Sequence, residues 1–273
     1  MPQAPARYAV IGHPVTHSRS PEIHAEFARL TGEPIHYARI DAPPGGFAMA
    51  LREFLASGGK GANITLPFKE EAFALCHVHT PRAKKAHAVN TLFVHADSTL
   101  LGDNTDGAGL VNDLKRNHQV VLNGARILLL GAGGAARGVL ASLLAEKPLL
   151  VHVANRTPER AHKLAAHHTG SRRVMSSGFE NLRRQTFDLI INATAASLAG
   201  ELPPLPNDCL NPGAVCYDLA YSERPTIFMH WAAQEGANLV LDGWGMLVEQ
   251  AAESFYLWRG VRPPTATLLA LHP

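Results

Sequence analysis

Ile127-Leu128-Leu129-Leu130-Gly131-Ala132-Gly133-Gly134-Ala135-Ala136 reads as a buried strand, a tight turn and the opening of a helix. The four aliphatic residues suit a strand covered on both faces, and the apolar stretch from Val139 to Ala145 continues as a helix. The glycine run fits the pattern G-x-G-x-x-G/A, which takes its meaning from that strand–turn–helix context. Its first glycine allows the turn, its second lets backbone N–H groups approach a pyrophosphate, and the helix N-terminus favours negative charge. The run stands near the middle of the 273 residues. A second domain, expected to hold the substrate, therefore precedes it, and the chain reads as a two-domain nucleotide-dependent enzyme.

With 46% hydrophobic and 18% charged residues the chain is globular, of one or two domains. A formal net charge of +2 is too small to point to nucleic acid or an anionic membrane as partner. Cys76, Cys209 and Cys216 are an odd set without close pairing, which suggests reduced thiols and a cytoplasmic protein. Met1-Pro2-Gln3-Ala4-Pro5 lacks the apolar core of a signal peptide. Ile127 to Ala145 imitates a membrane span, but its glycines and Arg137 favour a buried strand and helix, so no transmembrane segment is expected. The histidines near Cys76 (His77, His79) and the pair His167-His168 lie in polar stretches with no second ligand cluster at zinc spacing, so no metal site is expected.

Working outward from the glycine run, Leu149 to Ala154 is the next strand and Pro158 to His167 the next helix. Strands follow at Leu189 to Asn192 and Val215 to Leu219, then helix Thr226 to Glu235, strand Asn238 to Leu241 and a long apolar helix from Met246 to Trp258. Toward the N-terminus, Arg7 to Gly12 is a strand ending in a glycine turn, followed by a helix with Ser20 as N-cap, Pro21 at its first position and Gly32 as its end. Ile35 to Ile40 and Gly61 to Thr65 are strands, with a helix Phe47 to Ser57 between them, and Glu70 to Cys76 is helical. Asn90 to Val94 and Thr99 to Gly102 are short strands. Such alternation predicts α/β architecture with mostly parallel sheets.

Asn155-Arg156-Thr157 ends the strand after the fingerprint helix, where an NAD-binding domain usually presents an acid to the ribose 2′-hydroxyl. That acid is absent, and Arg156 and Arg160 stand nearby. A 2′-phosphate needs cationic, hydrogen-bonding partners, so NADP is preferred over NAD; the competing reading is that the arginines only solvate a helix start. Ser18 and Ser20 are hydroxyls on the loop into the first helix, suited to a substrate carboxylate. N-capping by Ser20 alone would explain that residue but not Ser18. Lys69, at a strand–helix junction, could hydrogen-bond a carbonyl oxygen and supply a proton as hydride adds to carbon. Gly102-Asp103-Asn104-Thr105-Asp106-Gly107 is a polar turn whose aspartates could direct that lysine, or an ordinary Asx-rich turn.

Taken in order, these segments resemble the shikimate dehydrogenase family over essentially the full chain. Tyr8 to Pro14, His17-Ser18-Arg19-Ser20-Pro21, Asn63 to Lys69, Ala88-Val89-Asn90-Thr91 and Gly102 to Gly107 are similar to its substrate domain. Gly131 to Ala136, Asn155-Arg156-Thr157, Ile191 to Thr194, Asp218 to Tyr221 and Asp242 to Met246 are similar to its nucleotide domain and the return crossing. Each segment is ordinary alone; the ordered set is specific. The resemblance implies reversible NADP-linked reduction of 3-dehydroshikimate to shikimate in aromatic amino-acid biosynthesis. It implies Lys69 and Asp106 as the catalytic pair, with Ser18 and Ser20 holding the substrate carboxylate. Thr65, Asn90, Asp106, Tyr221 and Gln250 would contact ring hydroxyls or carboxylate. Gly131, Ala132, Gly133, Gly134 and Ala135 would hold the pyrophosphate, and Asn155, Arg156, Thr157 and Arg160 the 2′-phosphate. Leu219, Gly243 and Met246 would lie near the nicotinamide.

Three positions depart from the family's pattern. His87 stands where glycine is typical, Ala195-Ala196 where small hydroxyl residues are common, and Trp244 where an aliphatic residue is usual; Trp244 is expected to tighten cofactor packing. The rivals are a quinate/shikimate dehydrogenase with relaxed cofactor choice, a non-catalytic sensor of the same ligands, and a folate-linked dehydrogenase of Rossmann type. Ser18 with Ser20 and Arg156 with Arg160 favour the shikimate- and NADP-selective enzyme, and retention of Lys69 and Asp106 disfavours the sensor. The expected architecture is a substrate-binding α/β domain over residues 1–105, completed by a C-terminal helix within 242–273, and a Rossmann-like NADP-binding domain over 106–241. A substrate in one domain and a cofactor in the other imply a cleft, and a monomer or homodimer is expected.

Overall fold

In a computed structural model the protein is described over residues 4–95, 97–168 and 173–271. Residues 1–3 and 272–273, which the expected domain ranges include, lie outside the described residues. The chain divides into two compact units: one takes in the chain up to Gly109 and again from Leu247, and the other runs from Leu110 to Met246.

In the first unit the elements follow as β1 (Ala6–Gly12), α1 (Ser20–Thr31), β2 (Ile35–Asp41), α2 (Phe47–Ala56), β3 (Gly59–Ile64) and α3 (Lys69–Leu75). Then come β4 (Val78–His79), α4 (Pro81–Ala86), β5 (Thr91–Val94), β6 (Leu100–Asp103) and α5 (Asp106–Asn112), which crosses into the second unit. Its six strands form one sheet in the order β2-β1-β3-β5-β6-β4. β1 lies parallel to β2 and β3, but β5 runs antiparallel to both β3 and β6. The antiparallel pair is a consequence of a short return between β5 and β6, closed by the His95 N–H on the Thr99 carbonyl at 2.9 Å; only antiparallel neighbours can be joined so tightly. Ala9, Ile11, Phe47, Leu51, Ala62, Ile64 and Leu92 pack into one core of the unit. A separate aromatic cluster joins Tyr8 to Trp258, stacked at 4.4 Å, and His24 to Tyr37, stacked at 4.3 Å.

The second unit continues with a single π-helical turn over Asp113–Asn117, then β7 (Arg126–Leu130), α6 (Gly134–Ala145), β8 (Leu150–Ala154), α7 (Pro158–Ala166) and β9 (Val174–Ser177). It closes with β10 (Phe187–Asn192), β11 (Leu210–Asp218), α8 (Ile227–Gln234) and β12 (Leu239–Leu241). Helix α9 (Trp244–Arg259) starts here and continues in the first unit, where the short α10 (Ala266–Leu269) follows. The sheet order β12-β11-β10-β7-β8-β9, parallel throughout, is the doubly wound order of dinucleotide-binding sheets, with the strand order reversing between β7 and β10. The aliphatic run of β7 serves both faces: Ile127 and Leu129 join one core, Leu128 and Leu130 the other, as side chains alternate along a strand.

One predicted helix start is corrected. Ser20 is the first helical residue of α1, and Arg19 stands at the cap with no side-chain capping bond. The Ser18 hydroxyl instead receives the Ser20 N–H at 3.3 Å, so Ser18 lies in the turn ahead of the helix and Ser20 in its first position. Gly32 does close α1, in the left-handed conformation at φ 72°.

Candidate active site

In the first unit, Lys69 is the first residue of α3 and Asp106 the first of α5. Lys69 Nζ donates to Asp106 Oδ2 at 2.5 Å, with the two side chains 13% and 6% exposed. The other carboxylate oxygen, Oδ1, accepts from Asn90 Nδ2 at 2.8 Å. The orientation of that amide is set by the backbone: the Thr105 N–H donates to Asn90 Oδ1 at 2.8 Å, which turns Nδ2 toward Asp106. Gln250 Oε1 accepts from the same Nδ2 at 3.2 Å, while Gln250 Nε2 donates to the Leu247 carbonyl at 3.0 Å. Two of the predicted residues, Lys69 and Asn90, therefore meet the Asp106 carboxylate, and a third, Gln250, reaches it through Asn90. Asp103 does something else; it is buried and takes Arg82 Nε at 2.6 Å and Nη2 at 2.7 Å.

Ser18 and Ser20 meet through their hydroxyls at 3.2 Å, and Ser20 is buried. The loop is braced by Arg39 on β2, whose Nε and Nη2 both donate to the Ser18 carbonyl, at 2.9 and 2.6 Å, while Nη2 also pairs with Glu22 at 2.6 Å. Thr65 follows β3, its N–H donating to the Ile11 carbonyl at 3.0 Å and its carbonyl accepting from Phe68 at 3.0 Å. Beneath the Asn90–Asp106 pair lies a buried polar network that sequence reading missed. Asn63 Nδ2 donates to Ser254 Oγ at 2.9 Å and to Thr91 Oγ1 at 3.1 Å, Tyr37 donates to Asn63 Oδ1 at 2.8 Å, and Thr91 donates to Asn90 Oδ1 at 2.9 Å. The available signal was a pair of polar residues on two short strands: Asn63 and Thr91 face each other on β3 and β5, where the other polar side chain is that of Lys60.

In the second unit, Gly131 has φ 103°, and a Cβ there would stand 2.9 Å from the Ala193 carbonyl oxygen, so the turn after β7 admits no side chain. Gly133 caps α6, open space surrounds the position a Cβ would take, and the helix has neither a side-chain cap nor an acidic residue in its first turn. Its leading N–H groups are unclaimed by capping side chains. Ala132 and Ala135 complete the turn, one buried and one half-buried. Asn155 Nδ2 donates to the Thr157 carbonyl at 2.9 Å, shaping the entry to α7. Arg156 and Arg160 are exposed and pair with no carboxylate among the described residues. An open glycine turn, an uncapped helix and free guanidinium groups fit a dinucleotide carrying a 2′-phosphate.

Leu219 continues from β11 with its N–H on the Asn192 carbonyl at 2.9 Å, and Gly243, whose N–H meets the Ala220 carbonyl at 2.9 Å, packs on the Leu219 carbonyl. Asp218, just before, is buried and accepts from Ser197 at 2.6 Å, Thr226 at 2.7 Å, the Ala220 N–H at 3.1 Å and Asn192 at 3.2 Å. Burial raises its pKa, and these four donors pull it back. Ser197 thus brings a hydroxyl to this turn next to Ala195-Ala196. Met246 donates its N–H to the Tyr217 phenol at 3.1 Å. Tyr221 belongs to this unit, whereas the other predicted substrate residues belong to the first, and it meets the buried Trp244 edge-on with ring centroids 6.4 Å apart. His87 takes φ 47° at the C-cap of α4, which accounts for glycine being the typical residue there.

The three cysteines are free and buried, and burial pushes each thiol up to about 12. Among the described residues no helix is long and apolar enough to cross a membrane, and no three His, Cys, Asp or Glu side chains are grouped to hold a metal.

The doubly wound sheet is of the dinucleotide-binding kind, and with the paired lysine and carboxylate it is the architecture of an α/β oxidoreductase, the class to which the relatives of this chain belong. Residues 10–92 match the family model for the shikimate dehydrogenase substrate binding domain, 113–199 that for shikimate / quinate 5-dehydrogenase, and 243–270 that for the shikimate 5′-dehydrogenase C-terminal domain. The chain belongs to the shikimate dehydrogenase family. It is 55% identical over 264 residues, 97% of both chains, to the shikimate dehydrogenase (NADP(+)) of Alkalilimnicola ehrlichii. Among solved structures it is similar to an Ael1 enzyme from Pseudomonas putida, at TM-score 0.91 and 41% identity over 98% of both chains. It is also similar to shikimate 5-dehydrogenase from Thermus thermophilus in complex with NADP(H) and shikimate, at TM-score 0.85 and 34% identity over 96% of this chain and 97% of that one.

Proposed function

We propose that this protein catalyses the reversible NADPH-dependent reduction of 3-dehydroshikimate to shikimate, the step of the shikimate pathway that leads toward chorismate and the aromatic amino acids. The observation that carries this reading is the part-buried Lys69–Asp106 pair, braced by Asn90 and, through it, Gln250. NADPH, when bound, supplies the hydride that adds to the carbonyl carbon. As negative charge grows on the carbonyl oxygen, the Lys69 ammonium stabilises it and delivers a proton from Nζ, leaving a hydroxyl. Asp106 directs that ammonium and accepts a substrate hydroxyl through the oxygen it presents. Ser18 and Ser20 hold the substrate carboxylate, with Thr65, Asn90, Tyr221 and Gln250 on its other polar groups.

Residues 131–135 would hold the pyrophosphate, Asn155, Arg156, Thr157 and Arg160 the 2′-phosphate, and Leu219, Gly243 and Met246 the nicotinamide end. Residues 1–105 with 242–273 serve as the substrate-binding domain and 106–241 as the NADP-binding domain. The protein works in the cytoplasm on a small-molecule substrate, as a monomer or homodimer, with no nucleic acid or membrane partner. The test is initial rates with shikimate and NADP⁺, followed by NADPH absorbance, with NAD⁺, quinate and Lys69→Ala alongside. NADP⁺-dependent oxidation of shikimate that the variant loses supports the reading. Preference for quinate or NAD⁺ moves the protein to the relaxed-cofactor group, and binding of both ligands without turnover leaves a sensor.

A further inference from the structure

Tyr217 is the penultimate residue of β11 and fully buried, so its hydroxyl needs partners within the fold. It has two. It donates to Asp113 Oδ2 at 2.6 Å and accepts the N–H of Met246 at 3.1 Å. A phenol has one proton, and giving it to the carboxylate leaves the lone pairs to receive the amide. That amide is one of the leading N–H groups of α9, which no intrahelical carbonyl satisfies. Asp113 is itself buried at the head of the π-helical turn, its Oδ1 accepting from Asn117 Nδ2 at 2.8 Å with His118 Nε2 3.6 Å away. Between these groups lies Gly245: a Cβ there would overlap the Asp113 carboxylate, so the first turn of α9 rests directly on it. A negative charge against a helix N-terminus is favourable, and the phenol carries it to the amide it reaches.

We propose that Asp113 and Tyr217 are a buried positioning pair that sets the first turn of α9, and with it Met246, for the nicotinamide end of the dinucleotide. This rests on the reading that Met246 and Gly243 meet the nicotinamide. Neither Asp113 nor Tyr217 touches a reacting atom; each acts through the backbone of Trp244 to Met246. Their loss is therefore felt by ligands that carry a nicotinamide and not by those that stop at the adenosine.

The experiment compares binding of NADPH and of adenosine 2′,5′-bisphosphate, which lacks the nicotinamide, to the full chain and to Tyr217→Phe, which removes one oxygen. NADPH affinity is expected to fall about tenfold, the scale set by one orphaned buried amide, while the bisphosphate binds as before. Should Tyr217→Phe fail to fold, Gly245→Ala carries the same contrast, because its methyl displaces the turn from Asp113. Equal weakening of both ligands, or of neither, overturns the proposal. If the unaltered protein binds neither ligand, it is the NADP reading that has failed, and the two failures are thereby distinguished.

Discussion

Lys69 and Asp106 each occupy the first position of a helix, α3 and α5, and their charged groups meet at 2.5 Å. The two placements are not equivalent. A carboxylate at a helix N-terminus is favoured by the aligned peptide dipoles, whereas a cation there is disfavoured. Asp106 is where helix electrostatics would put it, and Lys69 is not, which indicates a lysine kept for its reach to Asp106 rather than for α3. Lys69→Ala is expected to lower kcat for shikimate oxidation by about 10²–10⁴-fold, the usual range for a positioned acid–base group, with NADPH binding retained. A variant of near-normal kcat would remove Lys69 from the chemistry.

Arg156 and Arg160 pair with no carboxylate among the described residues, so no ion pair has to break before they meet a phosphate. Arg156→Ala and Arg160→Ala should each raise KM for NADP⁺ by about tenfold, on the scale of a lost charge-assisted contact. KM for NAD⁺, which lacks the phosphate, should hardly move. Parallel losses with both cofactors would show that the arginines serve the structure of α7 instead.

The Ser18–Ser20 turn is tied to β2 by the Arg39 fork on the Ser18 carbonyl. Ser18→Ala with Ser20→Ala is expected to raise KM for shikimate by about tenfold or more, at a KM for NADP⁺ that stays put. Arg39→Met should shift KM in the same direction, by less, since it acts through the loop. If shikimate KM ignores all three substitutions, the carboxylate is held elsewhere.

His24 is fully buried and stacked on Tyr37, and burial lowers its pKa from 6.5 to about 3, with Asn63 pulling the other way. The unfolded chain, titrating near 6.5, takes up the proton first. Its contribution is therefore intact above that value and declines as pH falls toward about 3, at about 1.4 kcal/mol per pH unit. Urea unfolding above and inside that window should show a steeper loss for the unaltered protein than for His24→Phe. Parallel curves would mean that His24 is not held neutral.

With each thiol pushed up to about 12, Cys76, Cys209 and Cys216 are expected to resist a disulfide reagent in the native state and react once urea unfolds the chain. Rapid modification of native protein would reveal local opening around at least one of them.

What could be read from sequence followed the length and periodicity of each segment. β7 and α6 were plain because an aliphatic run, a glycine turn and an apolar helix are contiguous. β4, with two residues, and β9, Val-Met-Ser-Ser, are too short or too polar to show a period, and α4 is hidden in the charged stretch Pro81–Ala86. Ser20 misled because a hydroxyl two residues earlier took over its N–H. Lys69, Asn90, Asp106 and Gln250 were singled out through the order of motifs and lie together in the fold, but Ser254, which receives Asn63 from 191 positions away, left no local trace. Buried polar residues look like surface residues until a fold supplies their partners.

All of helix α9 beyond its first turn follows the second unit in the chain, yet Phe255 and Trp258 complete the aromatic cluster of the first. During synthesis the ribosome therefore delivers a first unit that lacks one wall, then an uninterrupted second unit, and only afterwards the missing helix. The segment from Leu110 to Met246 is contiguous in the chain, while Tyr8, Phe27 and Tyr37 wait for the ring partners that Phe255 and Trp258 supply. The interval between those two events is where a nascent chain of this protein is most open to chaperones and to aggregation.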